Sequence, residues 1–237
     1  MPTQLLALTW DAQDPRGLAR FWATLLDRRT VERDAAVLVP GVDAQLDLRF
    51  VPSRTEAQPY GSRPNGTHLH LASTSPAHQQ QTIATALTLG ARHLDVGQRP
   101  EEGHVVLADA EGNAFCVIEP GNAYLAGCGL LAELACDGAR EVGLFWSAVL
   151  DWPLVWDQDE ETAIQSPRGG TKVAWGGPLE TPKQAPNRQR LQLISAGADA
   201  GTEVDRLIAL GAVSLADAET GTLMADPGGN EFHLTSA

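Results

Sequence analysis

The chain repeats itself, and that constrains its fold more than any other feature. Residues 14–27 read Asp-Pro-Arg-Gly-Leu-Ala-Arg-Phe-Trp-Ala-Thr-Leu-Leu-Asp, and residues 141–151 read Glu-Val-Gly-Leu-Phe-Trp-Ser-Ala-Val-Leu-Asp. Further pairs follow in the same order. The run from Asn65 through His68 and His70 to Leu71 matches the run from Asn187 through Arg190 and Gln192 to Leu193. Leu89-Gly90-Ala91 matches Leu210-Gly211-Ala212, and the run Asp109–Phe115 matches Asp226–Phe232. The separations are 124, 122 and 117 residues (Trp22 to Trp146, His68 to Arg190, Asp109 to Asp226), so the halves are duplicates with small deletions.

Each half divides again. Leu18, Phe21, Trp22, Leu25 and Leu26 fall at helical spacing on one stripe, and Val142, Phe145, Trp146, Val149 and Leu150 repeat it. Asp14 is placed to cap the first helix, with Pro15 at its first position, where a missing N–H costs nothing. Gly90 and Gly211 are placed to end later helices. In the first half the pattern predicts a strand over 5–11, a helix over 15–28, strands near 36–40 and 45–51, and a Pro/Gly/Ser-rich loop over 52–66. A strand over 67–73, a helix from Ser75-Pro76 to Gly90, and strands near 93–96, 104–108 and 114–119 follow. That is βαβββ twice per half and four times overall, an α+β chain of two domains over 1–122 and 129–237, joined by a Gly-rich segment from Pro120 to Gly129.

The charge narrows the partners. Seventeen basic against thirty acidic side chains give a net charge of −13, which excludes a nucleic-acid wrapper and disfavours anionic membrane. The excess is uneven: residues 1–122 carry 10 basic and 14 acidic groups, whereas 123–237 carry 7 and 16. The run Asp157, Asp159, Glu160, Glu161 reads as a solvated turn. The N-terminal stretch lacks a basic region and a long apolar core, and Cys116, Cys128 and Cys136 form no CxxC pair. A cytoplasmic location is the expectation. GxGxxG after a strand, GxxxxGK[ST], GxSxG and HExxH are all missing.

Four βαβββ modules in tandem pairs, with Leu-Ala-Arg-Phe-Trp early and Asp-x-x-Gly-Asn-x-Phe late in a half, resemble the vicinal oxygen chelate superfamily. That superfamily includes glyoxalase I, bleomycin-resistance proteins and extradiol dioxygenases, and the nearest likeness is to its glyoxalase-like domain proteins. The resemblance implies two tandem domains whose curled mixed sheets surround cavities, with up to four metal ligands in the enzymes. One ligand comes from the first strand and one from the last strand of each module. Carried onto this chain, module one offers Ala7 and Arg49, module two His68 and Cys116, module three Glu133 and Gly176, and module four Arg190 and His233. Strand alternation then adds His70, Gln192, Glu231 and Thr9 to the same faces.

Modules can pair within a half or across the halves, and neither choice assembles two His and a carboxylate or a His/Glu quartet. Arg at a ligand position puts a positive charge where a cation would sit. The expectation is therefore a metal-independent protein that binds a small organic molecule in a β-lined cavity, by drug or metabolite sequestration of the bleomycin-resistance type. The alternative is a lyase, isomerase or cyclase using His68, His70, Glu133 and His233 for acid–base chemistry, with Arg49, Cys116, Arg190, Gln192 and Glu231 contacting ligand. Arg49 and Arg190 could together clamp a carboxylate or phosphate. The best metal case is a divalent ion near His68, His70, Cys116 and Glu133; a metal-dependent glyoxalase or dioxygenase ranks last. No cofactor is expected, and the protein is a monomer or a homodimer.

Overall fold

A computed structural model describes residues 3–53, 67–99, 101–177, 186–195, 200–218 and 221–236. The predicted loop over 52–66 lies, from residue 54 onward, outside the described residues. Four βαβββ modules are present. The first holds β1 (Gln4–Ala12), α1 (Pro15–Leu25), β2 (Val31–Arg33), β3 (Ala36–Val39) and β4 (Leu48–Pro52). The second holds β5 (His68–Ala72), α2 (Pro76–Thr88), β6 (Arg92–His93), β7 (Val105–Ala108) and β8 (Ala114–Ile118). The third holds β9 (Leu131–Cys136), α3 (Arg140–Leu150), β10 (Leu154–Gln158), β11 (Glu161–Gln165) and β12 (Lys172–Gly176). The fourth holds β13 (Gln189–Ser195), α4 (Ala200–Ala209), β14 (Val213–Ala218), β15 (Gly221–Ala225) and β16 (Glu231–Ser236).

Local chemistry sets the helix ends as expected. The Asp14 carboxylate accepts from the Gly17 amide at 2.9 Å, and the Ser75 hydroxyl from the His78 amide at 3.1 Å. Gly90 and Gly211 stop their helices at φ +103° and +115°, a conformation that costs a residue with a Cβ. No described helix is long and apolar enough to cross a membrane.

The modules pair across the halves. One eight-stranded sheet runs β14-β15-β16-β13-β1-β4-β3-β2, joining the first module to the fourth; the other runs β10-β11-β12-β9-β5-β8-β7-β6, joining the second to the third. Both joints are antiparallel and central: β1 with β13, and β5 with β9. We call these sheet A and sheet B. The within-half alternative is thereby excluded.

One core serves both sheets. Leu8, Trp10, Leu48, Phe50, Leu191, Leu193 and Leu234 of sheet A belong to the same buried cluster as Leu69, Leu71, Phe115, Val117, Leu131 and Leu134 of sheet B. Helix aromatics join them. Trp22 meets Phe115 edge-on at 5.1 Å, and Trp146 meets Phe232 at 5.1 Å. The repeated sequence motifs are two ends of one contact: Trp22 Nε1 donates to Asp109 at 3.1 Å, and Trp146 Nε1 donates to Asp226 at 3.0 Å. Asp109 is fully buried and also accepts from the amides of Glu111 and Asn113 and from the Asn113 side chain, each at 3.0 Å. Burial pushes its pKa up to about 6 against these donors, so at pH 7.5 it is a carboxylate that needs all of them.

Substituting Trp22→Phe keeps the ring and removes the N–H. It is expected to lower the unfolding free energy by about 1.5–3 kcal/mol, the worth of a hydrogen bond to a buried charged group. Urea denaturation at pH 7.5 checks this; a midpoint equal to the wild type would mean the bond is dispensable.

Candidate functional site

The face of sheet B turned away from the core gathers ionisable side chains. On β5, Leu69 and Leu71 point into the core, so His68 and His70 point the other way. The register sets His70 opposite Glu133 on β9 and beside Cys116 on β8. His70 Nδ1 lies 2.5 Å from Glu133 Oε2, and His70 Nε2 lies 2.9 Å from His68 Nε2. Glu133 is 7% exposed at its side chain and His70 is 20% exposed. Burial opposes a charge on the His70 ring, but Cys116 and Glu133 together outweigh it and raise the imidazole pKa to about 9. Burial likewise opposes ionisation of Glu133, and the bonds from His70 and Tyr124 overcome it and hold its pKa below the usual carboxylate value. At neutral pH the pair is ionic. An imidazolium donates at both nitrogens, so His70 gives one N–H to Glu133 and the other to the Nε2 lone pair of His68. The Sγ of Cys116 and a ring nitrogen of each histidine lie within 4.8 Å of one another.

Two further residues complete the cluster, and sequence reasoning missed both. Tyr124 lies in the Gly-rich segment that joins the halves, and its hydroxyl donates to Glu133 Oε1 at 2.6 Å. Lys172 on β12 stands beside Glu133 in the parallel ladder, bonds the Tyr124 carbonyl and sits 3.9 Å from the Tyr124 ring centroid. Gly176, assigned by the resemblance, is displaced from this role: the β9–β12 ladder ends at Cys136 and Trp175, one residue before it. The joining segment thus folds onto the sheet. Leu125 and Cys128 are buried against Val106, Cys116, Ile118 and Ala132. A cleft of about 700 Å³ opens beyond this plug, lined in part by Ser73, Thr74, His78, Glu119 and Asn122; the His70 cluster does not line it.

Sheet A places the corresponding residues without building the same chemistry. Gln192 faces Ala7 and His233 there, as His70 faces Glu133 and Cys116 in sheet B. With Ala7 in place of an acid, no ion pair can form in that row. Gln192 accepts from the Thr9 hydroxyl at 3.1 Å. Arg190 is committed to Asp11, through Nη1 at 2.8 Å and Nη2 at 2.5 Å, and it also donates to the Asn187 carbonyl at 2.6 Å. It is therefore unavailable for the expected clamp with Arg49. Glu231 accepts from the Asn187 amide at 3.0 Å. His68, His70, Cys116 and Glu133 are thus brought together, whereas His233, Arg49, Arg190, Gln192 and Glu231 belong to the other sheet.

Of the six tryptophans, Trp10, Trp22, Trp146 and Trp175 are buried and Trp152 is partly buried against the core, whereas Trp156 is 37% exposed and meets the Tyr124 ring at 5.7 Å between centroids. The acidic run after Trp156 is exposed: Asp159 and Glu160 make the turn between β10 and β11, which carry Asp157 and Glu161, and Asp157 is held by Arg140 at 2.7 Å.

Comparison with known proteins agrees with this architecture. A family model described as a glyoxalase-like domain matches residues 7–118 and 132–235. Among solved structures, glyoxalase I from Zea mays superposes with a TM-score of 0.65 at 12% identity, covering 99% of this chain and 92% of that one. A candidate dioxygenase from Bacillus subtilis superposes with a TM-score of 0.60 at 12% identity, covering 99% and 85%. At that identity the likeness concerns the fold. No curated protein matches the chain.

The ion pair sets a pH window. The stabilisation that His70 contributes is complete below its unfolded value of 6.5 and is lost as pH rises through about 9. That from Glu133 is present above 4.5 and is lost as pH falls. In chelator-treated protein the His70 imidazole resonance is expected to titrate near pH 9, and lower in Glu133→Gln. A wild-type midpoint near 6.5 in an NMR titration would contradict the ionic pair.

Proposed function

We propose, for a chain that belongs to the glyoxalase-like domain family, that it binds a small organic molecule on this face of sheet B and acts on it by proton transfer. The observation that carries this reading is the chain Glu133–His70–His68, with contacts of 2.5 and 2.9 Å. It sets a protonated imidazole beside one whose Nε2 is a lone pair, an acid next to a base. A substrate carbonyl drawn to the His70 Nε2–H takes over that hydrogen bond. The His68 Nε2 lone pair is then left to accept a proton from the adjacent carbon, while His70 stabilises the developing oxyanion. Glu133, fixed by Tyr124 and in turn by Lys172, keeps the proton on His70 and orients its ring.

Sequestration without chemistry has less support. It calls for flat apolar walls, and four of the tryptophans that could supply them are buried, leaving Trp156 and Tyr124 near the site. Six ionisable groups converge there instead, His68, His70, Cys116, Glu133, Tyr124 and Lys172, the kind of clustering that reactive sites use.

A divalent metal is the second reading, favoured by the closeness of the His68, His70 and Cys116 donor atoms. Two imidazoles and a thiolate suit zinc, and a carboxylate behind a histidine is the usual support of a metal-bound imidazole. The residues therefore fit, and His68, His70 and Cys116 would hold the ion. A metal there would supply a Lewis acid. Lys172 beside Glu133 counts against a four-ligand set.

The test is solvent-deuterium exchange into dihydroxyacetone and a panel of other enolisable ketones and aldehydes, followed by proton NMR with chelator-treated protein. Exchange faster than in buffer is expected for at least one compound, reduced about 100-fold or more in His70→Gln, as befits loss of a general acid. Exchange no faster than buffer across the panel, or unaltered in His70→Gln, would sink the acid–base reading. Elemental analysis of dialysed protein decides between the readings: near-stoichiometric metal that disappears in Cys116→Ser would replace the metal-free site with the metal one.

A further inference from the structure

We propose that the face of sheet A turned away from the core is a second ligand site, which takes a small organic monocarboxylate on the Arg49 guanidinium. On β4, Leu48 and Phe50 are fully buried in the core, so Arg49 and Val51 face the other side of the sheet. Arg49 stands level with Thr9 on β1 and with Leu38 on β3. Across β13, His233 on β16 stands level with Gln192 and with Leu223 on β15. This face therefore carries a guanidinium, an imidazole and the hydrogen-bonded Thr9–Gln192 pair, with the partly exposed apolar side chains Leu38, Val51 and Leu223 beside them.

The charges select the ligand. Arg190 and Asp11 neutralise each other, and Glu231 is engaged by the Asn187 amide. Arg49 has no hydrogen-bond or ion-pair partner among the described residues. Burial lowers its pKa, and no neighbouring acid offsets that effect. Burial, with Arg190 and Arg49 nearby and Asp11 opposing, also lowers the pKa of His233 below its ordinary value and keeps this ring neutral at pH 7. One uncompensated positive charge is thus held half out of water, a state that costs free energy until an anion arrives. A planar carboxylate matches the guanidinium fork with two parallel hydrogen bonds, and a single negative charge balances it. A phosphate dianion would leave one charge unmatched. The leucine and valine walls accept the apolar body of an organic acid.

Benzoate is the probe, titrated into full-length labelled protein and followed by NMR at the Arg49 Nε–H and the His233 ring. Saturable shifts at both groups, with the His70 resonances unmoved, are expected. Arg49→Gln should weaken binding about tenfold or more, and Arg49→Lys, which keeps the charge and loses the fork, should weaken it less. Both variants should stay folded, and Arg49→Gln, which removes the uncompensated charge, should melt no lower than the wild type. No saturable shift up to about 50 mM, well above the millimolar range of a single-anchor site, would overturn the proposal. So would equal affinity in Arg49→Gln, tighter binding of inorganic phosphate than of benzoate, or shifts centred on His70. The readout is separate from proton exchange at sheet B, so either proposal can fail alone.

Discussion

A buried carboxylate that accepts an indole N–H holds this molecule together. Sheet hydrogen bonds join the first module to the fourth and the second to the third. The bonds from Trp22 to Asp109 and from Trp146 to Asp226 run the other way, tying the first module to the second and the third to the fourth. Each module is thereby fastened to one neighbour through its strands and to another through its helix or turn. The indole ties are the buried, charge-assisted part of a wider set of polar bonds between the sheets, which includes Glu111 accepting from Arg188 and Gln45 donating to the Leu131 carbonyl; apolar contact is strong but poorly directional, and these bonds add direction to it.

This cross-tying lets the two faces turned away from the core diverge. Helices and core-facing strand residues carry the fold, so residues on the opposite faces can change at little cost to stability. The outcome is visible in one row of positions. His70, Glu133 and Cys116 form an ionic cluster on one sheet, and Gln192, Ala7 and His233 form a neutral set on the other. Duplication supplied two equivalent sheet faces, and substitution gave them different electrostatics.

What the sequence revealed follows the range of the forces involved. Helices, caps, turns and the four-module organisation were legible because each depends on residues close in the chain, as with Asp14 on Gly17 or the glycine at 90. The Asp–Trp partnership could be read as two repeated motifs but not as one bond, since 87 residues separate its ends. Module pairing was open because both arrangements bury the same apolar strands. Tyr124 escaped because a Gly-rich segment looks like a spacer; its tyrosine, between two cavity-forming halves, was the available signal. Lys172 escaped because the register of β12 is set by its ladder with β9, a pairing between distant stretches that no local signal announces. Arg49 and Arg190 looked equivalent, and only geometry separates the one bound to Asp11 from the one that is not.

The exchange of modules between sheets also bears on how the chain reaches its native state. Sheet B is assembled from adjoining stretches, with β5 and β9 brought together across the middle of the sequence. Sheet A requires β1, beginning at Gln4, to meet β13, which ends at Ser195. During synthesis the apolar strand Gln4–Ala12 therefore waits without its central partner while most of the polypeptide is made. Contacts of such long sequence separation form late and slowly. The cluster of His68, His70, Cys116 and Glu133, by contrast, belongs to the sheet that can close first, so its geometry does not have to wait for the ends of the chain to find each other.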